Sequence, residues 1–359
     1  MKKISRREFV QLCAASAAAL GLSQVYLPQI AEALEEVTSG KAPVIWLQGG
    51  SCTGCSISLL NSAHPSIKEV LVDIISLEYH PNVMAGWGDP AIEHMFKIAE
   101  KFKGKFFLAV EGAVPIGADG MYCTVGERNV DGKHVPITFM DLVKDLGSKA
   151  AAVLSIGTCA AYGGVAAAAP NPTECVGVQE VVKDTPVVNI PGCPPHPDWI
   201  IGTLAHVLLF KEVPDLDKFG RPKVFFGPIV HDNCPRRQYF DNSIFAEEFG
   251  QEGCLLLLGC KAPFTNSDCS TRQWNNGVNW CIKAGSPCLG CTHPGFPDDS
   301  MPFYQQMKNV ELPGITAKAD TIGKVAATAT AVGLGAHLAG NIVTGRVGNK
   351  ASGDKEGNK

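Results

Sequence analysis

Charge is scarce in this sequence: Asp, Glu, Lys and Arg make up only 18% of 359 residues and leave a formal net charge of −4. Without a basic stripe to meet a phosphate backbone, nucleic acid is not an expected partner. Internal repeats are lacking, which excludes solenoid and propeller architectures, and so are low-complexity tracts, which together with 45% hydrophobic residues excludes a disordered chain. Between residues 260 and 310 few segments carry a strand or helix period, so apolar burial alone would not fold that region. The stretch 322–343 is rich in Ala, Gly and Thr but poor in large apolar side chains. It contains Lys324, His337 and Asn341, with Arg346 and Lys350 only beyond it, so an amphipathic or partner-covered helix is expected there and no transmembrane helix.

Cysteine is abundant. Fourteen are far more than packing needs, and in a chain of this size they mean disulfides, zinc or iron-sulfur clusters, to be told apart by spacing. The 38 Gly and 24 Pro cluster between apolar runs, as loops that closely approach a bound group require. The first 33 residues have the layout of an export signal: Lys2, Lys3 and the pair Arg6-Arg7, then a mild apolar stretch, then small residues near Ala31 and Ala33. The paired arginines point to the twin-arginine route into the periplasm, which carries folded proteins and so suits a cofactor loaded in the cytoplasm. Cys13 lies inside this signal. Its removal takes away four basic and two acidic groups and leaves a mildly acidic chain.

From residue 44 onward, short β-rich runs at 44–48, 70–77, 105–111, 151–156 and 186–190 alternate with helical spacing at 56–62, 91–102 and 138–146. That α/β pattern predicts right-handed crossovers and a mainly parallel, doubly wound sheet of flavodoxin-like layout over residues 41–215. A Pro- and Asp-containing link near 214–222 leads to one further strand, expected at 223–226, and a smaller, mostly irregular domain over 216–315. A helix and tail follow over 316–359.

Three sets of cysteines carry the chemistry. Cys52 and Cys55 form a CxxC directly after the first strand, Cys159 follows the strand ending at residue 156, and Cys193 follows the one ending at 190. All three loops leave strand carboxyl ends, which share one edge of a parallel sheet, so four thiolates can converge there on a 4Fe-4S cluster. The alternative is a redox disulfide between Cys52 and Cys55, with Cys159 and Cys193 buried as apolar residues. The second set is His231, Cys234, Cys254 and Cys260, where an imidazole can replace one thiolate; HxxC is unspecific, and an ordinary surface histidine is an equal reading. The third, Cys269, Cys281, Cys288 and Cys291, would suit a cluster or a closed structural zinc site. Cys123 and Cys175 have no partner at metal-binding spacing and are expected as small buried hydrophobes.

Taken with the twin-arginine start, the segments Trp46-Leu47-Gln48-Gly49-Gly50-Ser51-Cys52-Thr53-Gly54-Cys55, Gly157-Thr158-Cys159-Ala160-Ala161-Tyr162-Gly163-Gly164, Pro191-Gly192-Cys193-Pro194-Pro195 and Asn279-Trp280-Cys281 strongly resemble the small subunit of nickel-iron hydrogenases, over nearly the whole mature chain. The resemblance implies three iron-sulfur clusters that relay electrons for the reversible oxidation of dihydrogen. Cys52, Cys55, Cys159 and Cys193 would hold the proximal cluster, Cys269, Cys288 and Cys291 the medial one, and His231, Cys234, Cys254 and Cys260 the distal one. It also implies a large subunit that carries the nickel-iron or nickel-iron-selenium centre, and a periplasmic multihaem cytochrome c as electron partner. Many members have proline where this chain has Cys281, and a medial 3Fe-4S cluster. Here a fourth thiolate predicts a medial 4Fe-4S cluster, a pattern similar to the nickel-iron-selenium branch. Oxygen-tolerant members have two extra cysteines around the proximal cluster where this chain has Gly54 and Gly164, so their special cluster is not expected. Glu111, near the same sheet edge, suits a structural hydrogen bond better than proton transfer. Three rivals remain: nickel held by the two CxxC pairs of this chain, a disulfide-stapled periplasmic binding protein, and a cluster subunit of another respiratory complex. The last shares the Pro191–Pro195 element with the quinone-reductase proximal subunit, whose first two ligands, unlike these, are adjacent cysteines.

Overall fold

The run Ala42–Gln48 is buried over almost its whole length and forms the first strand, β1, of a five-stranded sheet. This computed structural model describes residues 42–210, 212–305, 310–312, 315–317 and 319–344. The export signal expected over residues 1–33 lies outside them. The other strands are β2 (Ile75–Tyr79), β3 (Phe107–Glu111), β4 (Ala152–Ile156) and β5 (Val187–Ile190). Their order is β2-β1-β3-β4-β5 and every pairing is parallel. This is the flavodoxin-like order, in which the winding reverses between β1 and β3 and leaves a crevice at the strand carboxyl ends.

Two-residue alternation divides the sheet's apolar side chains between two cores. Val44, Trp46, Phe107, Ala109, Leu154, Ile156, Val188 and Ile190 face one way and pack under Trp199, Ile200, Ile201, Leu204 and Val207 of the helix Pro197–Phe210. Ile45, Leu47, Leu108, Val110 and Val153 face the other way, against the helices Asp89–Lys101 and Phe139–Lys149. Covering both faces is what an all-parallel sheet demands, and it accounts for strands that are apolar throughout rather than alternating with polar residues. The second of these helices starts at Thr138, whose hydroxyl accepts the Asp141 N–H at 3.0 Å.

Two expectations are corrected. The strand expected at 70–77 begins only at Ile75. Before it, Ser66 and Glu69 form a reciprocal capping box that starts a helix at Ile67, and this helix runs on through a π-helical turn, Val70–Ile74. A capped helix thus overrides the β-branched Val-Leu-Val run. Likewise Lys223–Phe226 is not a strand but one helical turn, closed by the Gly227 N–H on the Lys223 carbonyl at 2.7 Å. Its β-prone Phe225 and Phe226 are driven instead by burial, since both plug into the first core beneath Trp199 and Val188. The sheet and the cysteine-rich region therefore lie in one compact unit, which ends at Tyr304.

A second unit follows from Gln305. Within it Val310–Leu312 and Ile315–Ala317 pair as antiparallel strands, and Ala319–Val343 is a continuous helix. Its segment Val325–Val343 is long and apolar enough, by length and composition, to cross a membrane, and none of it is buried. Of the two forms expected here, amphipathic or partner-covered, it lacks the first, because its apolar side chains surround the axis rather than forming one stripe.

Candidate iron-sulfur centres

The crevice edge of the sheet gathers the first set. Cys55 sits in the opening turn of the helix Gly54–Leu60, just after β1, while Cys159 lies in the helix Thr158–Tyr162 after β4 and Cys193 in the loop after β5. The last two loops are stitched together: Thr158 N–H donates to the Gly192 carbonyl at 3.0 Å, and Gly192 N–H donates to the Thr158 hydroxyl at 2.8 Å. Backbone packs unusually close to sulfur here. At Gly157, with φ of 91°, a Cβ would stand 2.5 Å from Cys55 Sγ, and at Gly164 it would stand 2.9 Å from Cys159 Sγ. Only glycine fits at either position.

Glu111, at the carboxyl end of β3, is fully buried. It accepts from Trp46 Nε1 at 3.0 Å, Gln48 Nε2 at 2.9 Å, Cys55 N at 3.1 Å and Ser56 N at 3.4 Å, and makes a short bond with the Ser56 hydroxyl. With both oxygens so engaged it pins the helix start that carries Cys55, the structural role expected of it. The sulfurs feel one another. Burial pushes the Cys55 thiol well up, and Glu111, Cys159, Cys193 and Cys52 add to the shift. Cys193 is pushed up to about 11 by burial, then by Cys159 and Cys52.

The third set is equally convergent. Burial drives Cys269 far up, with Cys291 and Cys281 contributing; Cys288 follows the same pattern, raised by burial and then by Cys291, Cys260 and Cys269. Cys291 is raised to about 12, chiefly by burial, although the Cys193 backbone N–H pulls it down. In the second set, Cys260 is raised to about 11 by burial, with backbone N–H groups opposing and Cys254 and Cys234 adding. His231 is 9% exposed, and its Nε2 has no hydrogen-bond partner among the described residues. Burial and the Arg237 charge lower its proton affinity, so the imidazole stays neutral with a free nitrogen to offer a metal.

No disulfide joins any cysteine among the described residues, and no three of their His, Cys, Asp or Glu side chains close around a single metal ion. Buried thiols gathered at one site suit a cluster of several irons. The orphaned imidazole of His231, one turn before the buried Cys234, suits the same group. The three sets also touch in series. The Thr158 hydroxyl, next to Cys159, makes a short bond with the Cys291 carbonyl, and Cys288 N–H donates to Cys260 Sγ at 3.4 Å. Cys175 is buried, as expected, in the two-residue strand that pairs with Val114–Pro115, whereas Cys123 is only half-buried at the edge of the second core. Reasoning from spacing missed Thr158, a hydroxyl in a loop with no pattern to mark its bridging role.

Comparison with known proteins identifies the family. Residues 226–304 match the family model for the C-terminal part of the NiFe/NiFeSe hydrogenase small subunit, and residues 52–207 match that of the NADH ubiquinone oxidoreductase 20 kDa subunit. The chain is 53% identical over 312 residues to the periplasmic NiFeSe hydrogenase small subunit of Desulfomicrobium baculatum, covering 84% of this chain and 98% of that one. It is 40% identical to the uptake hydrogenase small subunit of Cupriavidus necator, over 95% and 92% of the two chains. The solved NiFeSe hydrogenase of Desulfomicrobium baculatum superposes with a TM-score of 0.72 at 51% identity, over 74% of this chain and 99% of its counterpart. That of Desulfovibrio vulgaris Hildenborough gives 0.70 at 51% identity, over 75% and 99%. With its parallel sheet, its three cysteine-rich centres and these relatives, the chain belongs to the NiFe/NiFeSe hydrogenase small-subunit family, the iron-sulfur, electron-transfer side of the enzyme.

Proposed function

We propose that this chain holds three clusters in line: a proximal 4Fe-4S on Cys52, Cys55, Cys159 and Cys193, a medial 4Fe-4S on Cys269, Cys281, Cys288 and Cys291, and a distal 4Fe-4S on His231, Cys234, Cys254 and Cys260. The observation that carries this reading is the serial contact of the ligand sets, Thr158 with Cys291 and Cys288 with Cys260. It supports the order proximal, medial, distal. When bound, the clusters supply one-electron steps between the partner subunit's hydrogen-activating metal centre, where dihydrogen gives two protons and two electrons reversibly, and an external carrier.

The chain's own residues fix the ligands and keep water out. Glu111 holds the Cys55 helix, Thr158 joins the proximal and medial loops, and the buried Trp280 and Ile282 pack around Cys260 and Cys288. The large subunit docks over the proximal edge. Cys52 and Cys193 are exposed there, beside exposed Ile57, Leu60 and Val165, apolar surface that a partner would bury. A periplasmic multihaem cytochrome c accepts or supplies electrons at the distal site, and the chain reaches the periplasm, already loaded, by the twin-arginine route. Within the compact unit that ends at Tyr304, the part up to residue 215 holds the proximal cluster and the part from residue 216 the other two, and the tail lies beyond it.

Iron and sulfide analysis of the anaerobically purified protein, with electron paramagnetic resonance of the partly reduced sample, tests the reading. Three reducible clusters are expected, and replacing Cys159, Cys281 or Cys254 by serine should disturb one each. Zinc in place of iron at the Cys269 to Cys291 set, or a Cys281 variant with an unchanged medial signal, would contradict it.

A further inference from the structure

Cys269 is flanked by two buried hydroxyls that have nothing to bind. Ser267 is 1% exposed and Ser270 is 6% exposed, and among the described residues neither Oγ has a hydrogen-bond partner. A buried donor left unmade costs about 1–3 kcal/mol, so a group is expected to receive it. The backbone around Ser267 is tied on both sides. The Asn266 carbonyl accepts from the Thr292 hydroxyl at 2.9 Å. On the other side, the Asp268 carboxylate is held by Trp199 Nε1 at 2.8 Å and by the Arg272 guanidinium at 2.7 Å, and Arg272 also reaches Asp198 at 3.0 Å. These ties hold the backbone on both sides of Ser267, and the side chain itself is buried. Ser267 stands two residues before Cys269 and next to the bond that ties Asn266 to Thr292, the neighbour of Cys291, with its own hydroxyl unpartnered among the described residues.

We propose that Ser267 is a positioning and tuning residue for the medial centre, its hydroxyl donating to the Cys269 sulfur once that sulfur is a metal-bound thiolate. A hydrogen bond to a ligand sulfur stabilises the extra negative charge of the reduced cluster and raises its potential. Ser267 thus makes the medial centre easier to reduce. The inference rests on the assignment of Cys269 to a medial cluster.

The test is a redox titration of the complete, metal-loaded complex, followed by electron paramagnetic resonance, for wild type and for Ser267→Ala, Ser267→Thr and Ser267→Val. A wild type with no medial signal would overturn the cluster assignment itself. With that signal present, Ala and Val are expected to shift the medial midpoint to more negative potential. Thr, as bulky as Val but keeping the hydroxyl, should hold the wild-type value, with the proximal and distal midpoints unmoved in all. Loss of the medial cluster in Val but not Thr would support the same donor. An unshifted midpoint in Ala, equal shifts in Thr and Val, or loss of the cluster in both would overturn the proposal.

Discussion

In the proposed distal set, His231 is a neutral imidazole with Nε2 unpartnered among the described residues and Phe240 packed edge-on at 4.6 Å against the ring. A thiolate there would add negative charge, so His231→Cys should keep the distal cluster but move its midpoint to more negative potential, whereas His231→Ala should lose distal iron. Redox titration with iron counting distinguishes the two. At the medial set, Cys281→Pro should convert the cluster to a three-iron form, read as a new resonance in the oxidised protein. Protons matter as well. The ordinary thiol value is 9.0, while Cys260 and Cys291 rise to about 11 and about 12 in the metal-free fold. A folded value above the unfolded one gives stability that is whole below pH 9 and is lost as pH climbs through the folded values. The metal-free chain should therefore unfold at lower denaturant at about pH 10 than at about pH 8. Loading runs the opposite way, because each thiol ligand must shed a proton: iron should be stripped by a chelator faster as pH falls.

At the scale of elements, the glycine turns set what the loops can hold. Gly157→Ala places a methyl 2.5 Å from Cys55 Sγ on a backbone with φ of 91°. It should cost about 1–3 kcal/mol in strain and selectively lose the proximal resonance, with the other two retained. The three loops of the proximal set were legible from the sequence because strand, glycine turn and cysteine recur together at residues 44–55, 151–159 and 186–193. The parallel, doubly wound sheet also followed from the α/β alternation. Other elements were not legible, for physical reasons. At Val70–Ile74 a capping box just upstream decided the conformation, and at Lys223–Phe226 burial beneath Trp199 outweighed β propensity. The hairpin of Thr124–Val130 with Lys133–Thr138 went unread, although Asp131-Gly132, both at positive φ, is the usual signal for a two-residue turn. The nearness of Cys269 to Cys281 and of Cys260 to Cys234 and Cys254 depends on irregular backbone that no periodicity encodes.

On the scale of the whole molecule, two groups of exposed apolar side chains stand where something else should cover them. Ile57, Leu60 and Val165 border the proximal edge, and the helix ending at Val343 bears Val325, Val332, Leu334, Leu338 and Ile342 in the open. Truncation after Tyr304 should leave all three clusters loaded, because the unit that holds their ligands ends there. The intact protein should partition into detergent and the truncated one into water, as phase separation would show. The central claim concerns electron flow from hydrogen into this chain, and it is tested by purifying the protein with its large subunit under anaerobic conditions and exposing the complex to dihydrogen alone. Bleaching of the iron-sulfur absorbance by the gas is the predicted result. A complex with its large subunit present and metal-loaded that bleached only with dithionite would contradict it.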